Sequence, residues 1–121
     1  MQRKCGVYQI ICKKNNKIYI GSSKNIISRW RHHTSDLNRN CHSNMFLQED
    51  WNKYGLDNFE FIILEETELE NRYDVEQNYL NLLMPFYRVG NGYNISENSF
   101  KRNNISWKII ISFSFHICNF D

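Results

Sequence analysis

The sequence predicts an α+β domain, and three observations carry that expectation. Two short apolar runs flank a Lys/Asn turn near the N-terminus, in GVYQIICKKNNKIYIG. A third run, NFEFIILE, alternates with period two. The segments between and after these runs repeat their apolar residues at helical spacing. With 121 residues the chain suffices for one domain and is too short for two independent cores. Its 41% hydrophobic and 15% aromatic content is that of a folded protein.

Taken in order, residues 5–12 and 17–21 read as strands joined by Lys13-Lys14-Asn15-Asn16. A loop of two or four residues puts Tyr8, Ile10 and Cys12 on the same face as Tyr19, whereas an odd loop separates the tyrosines. The even loop is the simpler reading and turns both phenols the same way. Ser22-Ser23-Lys24-Asn25 offers N-cap oxygens for a helix over 26–37. Ile26, Trp30 and Leu37 share one stripe of it, with His33 on that stripe, Arg29 at its edge one turn earlier and Arg31 toward solvent. A second helix, 44–54, buries Leu47, Trp51 and Tyr54 and ends at Gly55. The third strand, 58–65, turns Phe59, Phe61 and Ile63 to one face. A third helix over 68–83 stops before Pro85, and YRVGNGYNI returns through a Gly-rich turn to Tyr93-Asn94-Ile95.

The third helix holds an anomaly. Leu69, Tyr73, Leu80 and Leu83 form its apolar stripe, and Glu76 lies in the middle. An unpaired ionised carboxylate in a core is costly. Three explanations stand open: a buried partner such as Arg29, a carboxyl held neutral, or a metal ion.

Lys+Arg 15 against Asp+Glu 13 gives a formal charge of +2, so bulk charge does not mark a nucleic-acid binder. The distribution is more telling. Lys4, Lys13, Lys14, Lys17, Lys24, Arg29, Arg31 and Arg39 face Asp36 alone in the first third, and acid concentrates between Glu49 and Glu76. Such asymmetry suits a polyanion on one face. Cys5, Cys12, Cys41 and Cys118 show no zinc spacing and read as reduced thiols of an intracellular protein. No apolar signal core opens the chain. The apolar tail from Ile105 to Phe120 is broken by Lys108 and His116 and falls short of the roughly 18–20 residues of a membrane span, so no membrane partner is expected.

An ordered set of residues then resembles a known family. Gly6-Val7-Tyr8, Tyr19-Ile20-Gly21, Arg29 and His33 in SRWRHH, Glu76 in VEQNYL and Asn94 in NGYN are similar to the signature of GIY-YIG endonuclease domains. The segment CHSNMFLQEDWNKYG, with His42, resembles the intron-encoded homing subgroup. The match spans residues 5–96, with Val7 where the motif has isoleucine and Ser22 where some relatives carry lysine. It implies a three-stranded antiparallel sheet flanked by about three helices, and hydrolysis of DNA with a divalent metal. The nuclease domain is expected over 1–96. Residues 97–121 form a short tail without a recognisable DNA-binding module, an added strand or the remnant of a truncated reading frame. Oligomeric state and target sequence are not readable.

The resemblance gives each residue a role. Glu76 is the metal ligand, holding one Mg2+ for which Mn2+ can substitute; a site with one carboxylate leaves the ion its waters. Arg29 braces phosphoryl oxygens with its planar fork. Tyr8 activates water with Tyr19 assisting, and the reverse assignment stays open. A phenol with a reference pKa of ~10 is a poor base unless nearby positive charge favours the phenolate. His33 relays a proton or contacts phosphate, or is a satisfied core group. Asn94 orients Glu76 or nearby backbone, Gly21 allows close approach, and Lys24 and His42 contact substrate. Two alternatives differ in class: an inactive nucleic-acid-binding remnant of the same fold, and an enzyme in which Tyr8 is a covalent nucleophile.

Overall fold

The computed structural model describes residues 3–99, and the expectations for the tail lie outside these residues. The elements are β1 (Gly6–Cys12), β2 (Ile18–Ser23), α1 (Ile26–Asn38), α2 (Met45–Tyr54), β3 (Phe59–Glu66) and α3 (Arg72–Leu83). Short 3₁₀ turns occupy Leu56–Asn58, Leu69–Asn71 and Tyr87–Val89.

The three strands form one antiparallel sheet in the order β2-β1-β3, as expected. Asn16 takes a positive φ of 62° and its amide bonds the Cys12 carbonyl at 2.7 Å, closing the hairpin. The register that follows sets Tyr8 opposite Gly21 and Ile10 opposite Tyr19. Tyr8 and Tyr19 therefore share a face. β2 runs two residues beyond Gly21, so this glycine does not end the strand.

The sheet is covered on both faces. One carries Tyr8, Ile10, Cys12 and Phe59 against Ile26, Leu37, Leu47 and Trp51 of α1 and α2. The other carries Val7 and Ile20 against Leu80 of α3. Alternation along β2 thus sends Tyr19 and Gly21 toward α1 and Ile20 and Ser22 toward α3.

Helices α1 and α2 start where side-chain oxygens meet free amides. Asn25 Oδ1 accepts from Ser28 N at 3.2 Å, and Asn44 Oδ1 accepts from Phe46 N and Leu47 N, both at 3.0 Å. α3 departs from its expected phase. Leu69, Tyr73 and Leu83 are exposed, and the inner face is Glu76 and Leu80, flanked by Val75 and Tyr79. The cause is local: the helix proper begins at Arg72, and the tighter 3₁₀ turn before it rotates Leu69 out of the extrapolated stripe.

Cys5 and Cys12 are free thiols, whereas Cys41 is disulfide-bonded, against the expectation of a fully reduced set. Among the described residues no helix is long and apolar enough to cross a membrane.

Candidate active site around strand β2

The site is wrapped around the edge strand β2. On its α1 side, Tyr8 Oη lies 2.7 Å from His33 Nε2, and His33 Nδ1 lies 2.7 Å from His42 Nε2. The imidazole centroids are 4.9 Å apart with 20° between planes. With the nitrogens that close, the rings meet edge to edge and nearly coplanar. The Asn44 backbone amide donates to His42 Nδ1 at 2.9 Å and completes the chain. All of this is buried: Tyr8 and His33 are 1% exposed and His42 7%.

Desolvation, with the Arg29 charge second, pushes His42 down to about 4, so its ring is neutral near pH 7. Tyr19 stands beside His33 with ring centroids 5.6 Å apart, edge to face. It is half-buried, and among the described residues no hydrogen bond engages its hydroxyl.

Gly21 sits against the Tyr8 phenol. A Cβ there would lie 2.5 Å from Tyr8 Oη and 2.7 Å from Cζ. Its smallness admits the phenol, a different role from the close substrate approach expected of it.

On the α3 side, Glu76 is fully buried, and the Ser22 hydroxyl donates to its Oε1 at 2.6 Å. At this length the hydroxyl–carboxyl contact is a close hydrogen bond. The outer edge of β2 is closed by Asn94, whose Oδ1 accepts from Ile20 N at 2.8 Å while its Nδ2 donates to Ile20 O at 2.9 Å. Asn94 thereby serves the strand as a neighbouring peptide would, one residue from Tyr19. Gly92 permits this approach, since a Cβ on it would meet Ile18 O at 2.2 Å.

Arg29 is exposed on α1, one turn before His33, and Lys24 is exposed in the β2–α1 turn. The fold thus brings Tyr8, Tyr19, Gly21 and His33 together, sets Arg29 one turn from His33, and ties Asn94 and Glu76 to β2. Like Gly21, His42 departs from its expected role. Both its ring nitrogens are engaged inside the protein, so it supports His33 and does not face substrate. Three participants escaped the sequence reading. Ser22 was noted as one of several candidate N-cap oxygens and for standing where some relatives carry lysine, not as a partner of Glu76. Asn44 caps α2, bonds His42 and donates to Tyr93 O at 2.6 Å. Asp50 accepts from Tyr93 Oη at 2.6 Å and from Asn15 Nδ2 at 2.9 Å, tying the hairpin loop to α2. Tyr93 is raised by burial and by Asp50, and stays a phenol.

Residues 4–94 match the GIY-YIG catalytic domain. The chain is 40% identical over 97 residues to Intron-associated endonuclease 1 of Enterobacteria phage T4, covering 80% of this chain and 39% of that protein. It is 36% identical over 88 residues to Probable intron-encoded endonuclease 1 of Neurospora crassa, covering 67% of this chain and 28% of that protein. It therefore spans less than two-fifths of either relative's length. The solved catalytic domain of the homing endonuclease I-TevI superposes with a TM-score of 0.69 at 40% identity, covering 77% of this chain and 99% of that one. A mutant of the same domain gives a TM-score of 0.68, with 78% and 95% covered. Family match, relatives and superposition all lead to one conclusion: the chain belongs to the GIY-YIG family.

Proposed function

We propose that this chain is the catalytic part of an endonuclease that hydrolyses DNA phosphodiesters with one divalent cation held at Glu76. The observation that carries the reading is the strand β2 itself. Within four residues it sets Tyr19 beside His33 and ties Ser22 to the buried carboxylate Glu76. Proton handling and anion chemistry are thus attached to one rigid element.

The residues fit a hard cation. Among the described residues no three of His, Cys, Asp and Glu converge on a point, and the ligand assigned to the ion is the Glu76 carboxylate. An oxygen donor alone suits Mg2+, with Mn2+ able to substitute, because these ions retain waters and accept phosphate oxygens. Bound there, the cation would neutralise charge on the phosphate and assist the leaving oxygen.

The side chains supply the rest. Ser22 orients Glu76 from Oε1. Arg29, exposed on α1, meets the phosphoryl oxygens with a bidentate fork. Tyr19 takes the proton of the attacking water. It is the phenol that solvent reaches, whereas Tyr8 is enclosed under Gly21, and this difference reverses the preference for Tyr8 that the sequence suggested. Lys24 and Arg31 add positive charge to the exposed surface, where phosphate contacts position the duplex without reading its sequence.

Relaxation of supercoiled plasmid tests the reading. Nicking with Mg2+ is expected, abolished by chelator and lost in Glu76→Ala and Arg29→Ala. Full-rate nicking by Glu76→Ala would sink the metal assignment. Salt-sensitive retention of DNA without product under any divalent ion would leave the inactive remnant instead.

A further inference from the structure

The hydrogens along Tyr8, His33 and His42 run in one direction, and a backbone amide sets it. The Asn44 N–H donates to His42 Nδ1, so that nitrogen holds no proton. A neutral imidazole carries its one proton on the other nitrogen, here Nε2, which points at His33 Nδ1 at 2.7 Å. His33 Nδ1 is then the acceptor, because two N–H groups cannot face each other at that distance. His33 must carry its proton on Nε2, 2.7 Å from Tyr8 Oη. A doubly protonated His33 is excluded by the same contact.

We infer that His42 is a positioning residue which, through the Asn44 amide, locks His33 as a hydrogen-bond donor to Tyr8 and bars it from acting as the base that draws the Tyr8 proton. The Tyr8 O–H is thereby turned away from His33. Donors in series polarise one another, so the enclosed Tyr8 phenol is held as the acceptor that ends this chain and cannot pass its proton to His33. This rests on the nuclease reading for its consequence, though not for its geometry.

Ring 15N spectra of histidine-labelled full-length protein near neutral pH test the geometry without any turnover. Both His33 and His42 are expected as Nε2–H tautomers, with Nδ1 unprotonated. A His33 signal for the Nδ1–H tautomer or the imidazolium would overturn the inference, even if the protein nicks DNA. Absence of nicking with the expected spectra would count against the nuclease reading alone. The functional arm compares His42→Ala with His42→Gln, whose amide retains an N–H donor. His42→Ala is expected to mix the His33 tautomers and lower kcat about 10–100-fold with little change in KM. His42→Gln is expected to restore the single His33 tautomer and recover part of kcat. Equal losses in the two variants, with His33 keeping one tautomer in both, would also overturn it. Should either variant fail to fold, the wild-type spectra decide.

Discussion

Ser22 and Glu76, 54 residues apart in sequence, are joined by a 2.6 Å hydrogen bond that links the edge strand to the buried face of α3. A carboxylate with 0% exposure needs donors, and this hydroxyl is one of them. Replacing Ser22 by alanine removes that donor and leaves the acid enclosed. The expected loss is about 1–3 kcal/mol of folding stability, measured by urea unfolding near neutral pH. Ser22→Thr, which keeps a hydroxyl, should recover a measurable part.

Gly21 and Tyr8 make a packing pair that can be separated from chemistry. A methyl at position 21 would press on Tyr8 Oη at 2.5 Å, and relief requires the phenol or the strand to move. Gly21→Ala should cost about 1–3 kcal/mol and lower the nicking rate further than that loss explains. In a Tyr8→Phe background the nearest clashing atom is gone, so the same substitution should cost less. A double-mutant cycle on unfolding free energy reads the coupling, and additivity within error would refute the contact.

How much of this was legible follows from how local each contact is. The shared face of Tyr8 and Tyr19 was readable because loop parity fixes hairpin register within a few residues. Burial of Glu76 was readable although the stripe around it was not. Leu69 was extrapolated into a helix that in fact begins only at Arg72, whereas Tyr73 and Leu83 lie inside the helix on the exposed margin of the stripe. The roles of Ser22, His42, Asn44 and Asn94 were not readable as geometry. Their bonds span 54 residues from Ser22 to Glu76, 49 from Asn44 to Tyr93 and 74 from Asn94 to Ile20, and no spacing rule encodes such distances. For His33 and His42, nine residues apart, spacing was visible but the loop between them hid their in-line contact.

Acid should weaken the fold through His42. Its folded value of about 4 lies below the ordinary 6.5, chiefly from desolvation. Above about pH 6.5 the ring is neutral in both states and the group contributes no pH slope. Between 6.5 and 4 the unfolded chain binds the proton and the folded one resists it, so stability falls as pH is lowered. The loss amounts to about 3 kcal/mol, complete below about pH 4. Urea midpoints at pH 7.5, 5.5 and 4 should show this slope in the wild type and lose that part of it in His42→Gln. Parallel curves for the two proteins would show that His42 titrates normally.

Asn94 offers a test of how the edge strand is held. Its amide returns both hydrogen bonds that the Ile20 peptide groups lack on the outer side of the sheet, at 2.8 and 2.9 Å. Alanine at 94 would leave an N–H and a C=O of β2 to find water beside Tyr19. The expected cost is about 2 kcal/mol globally. The sharper signature is local: amide exchange at Ile20 should accelerate well beyond that of Ile10 in the central strand, since edge opening no longer breaks the Asn94 bonds. Asn94→Asp keeps an acceptor for Ile20 N and presents a carboxylate to the Ile20 carbonyl. It should therefore be at least as destabilising as alanine near neutral pH, with part of the loss recovered as the acid is protonated. If Ile20 and Ile10 exchange alike in Asn94→Ala, Asn94 does not hold the strand, and its part in the site must lie elsewhere.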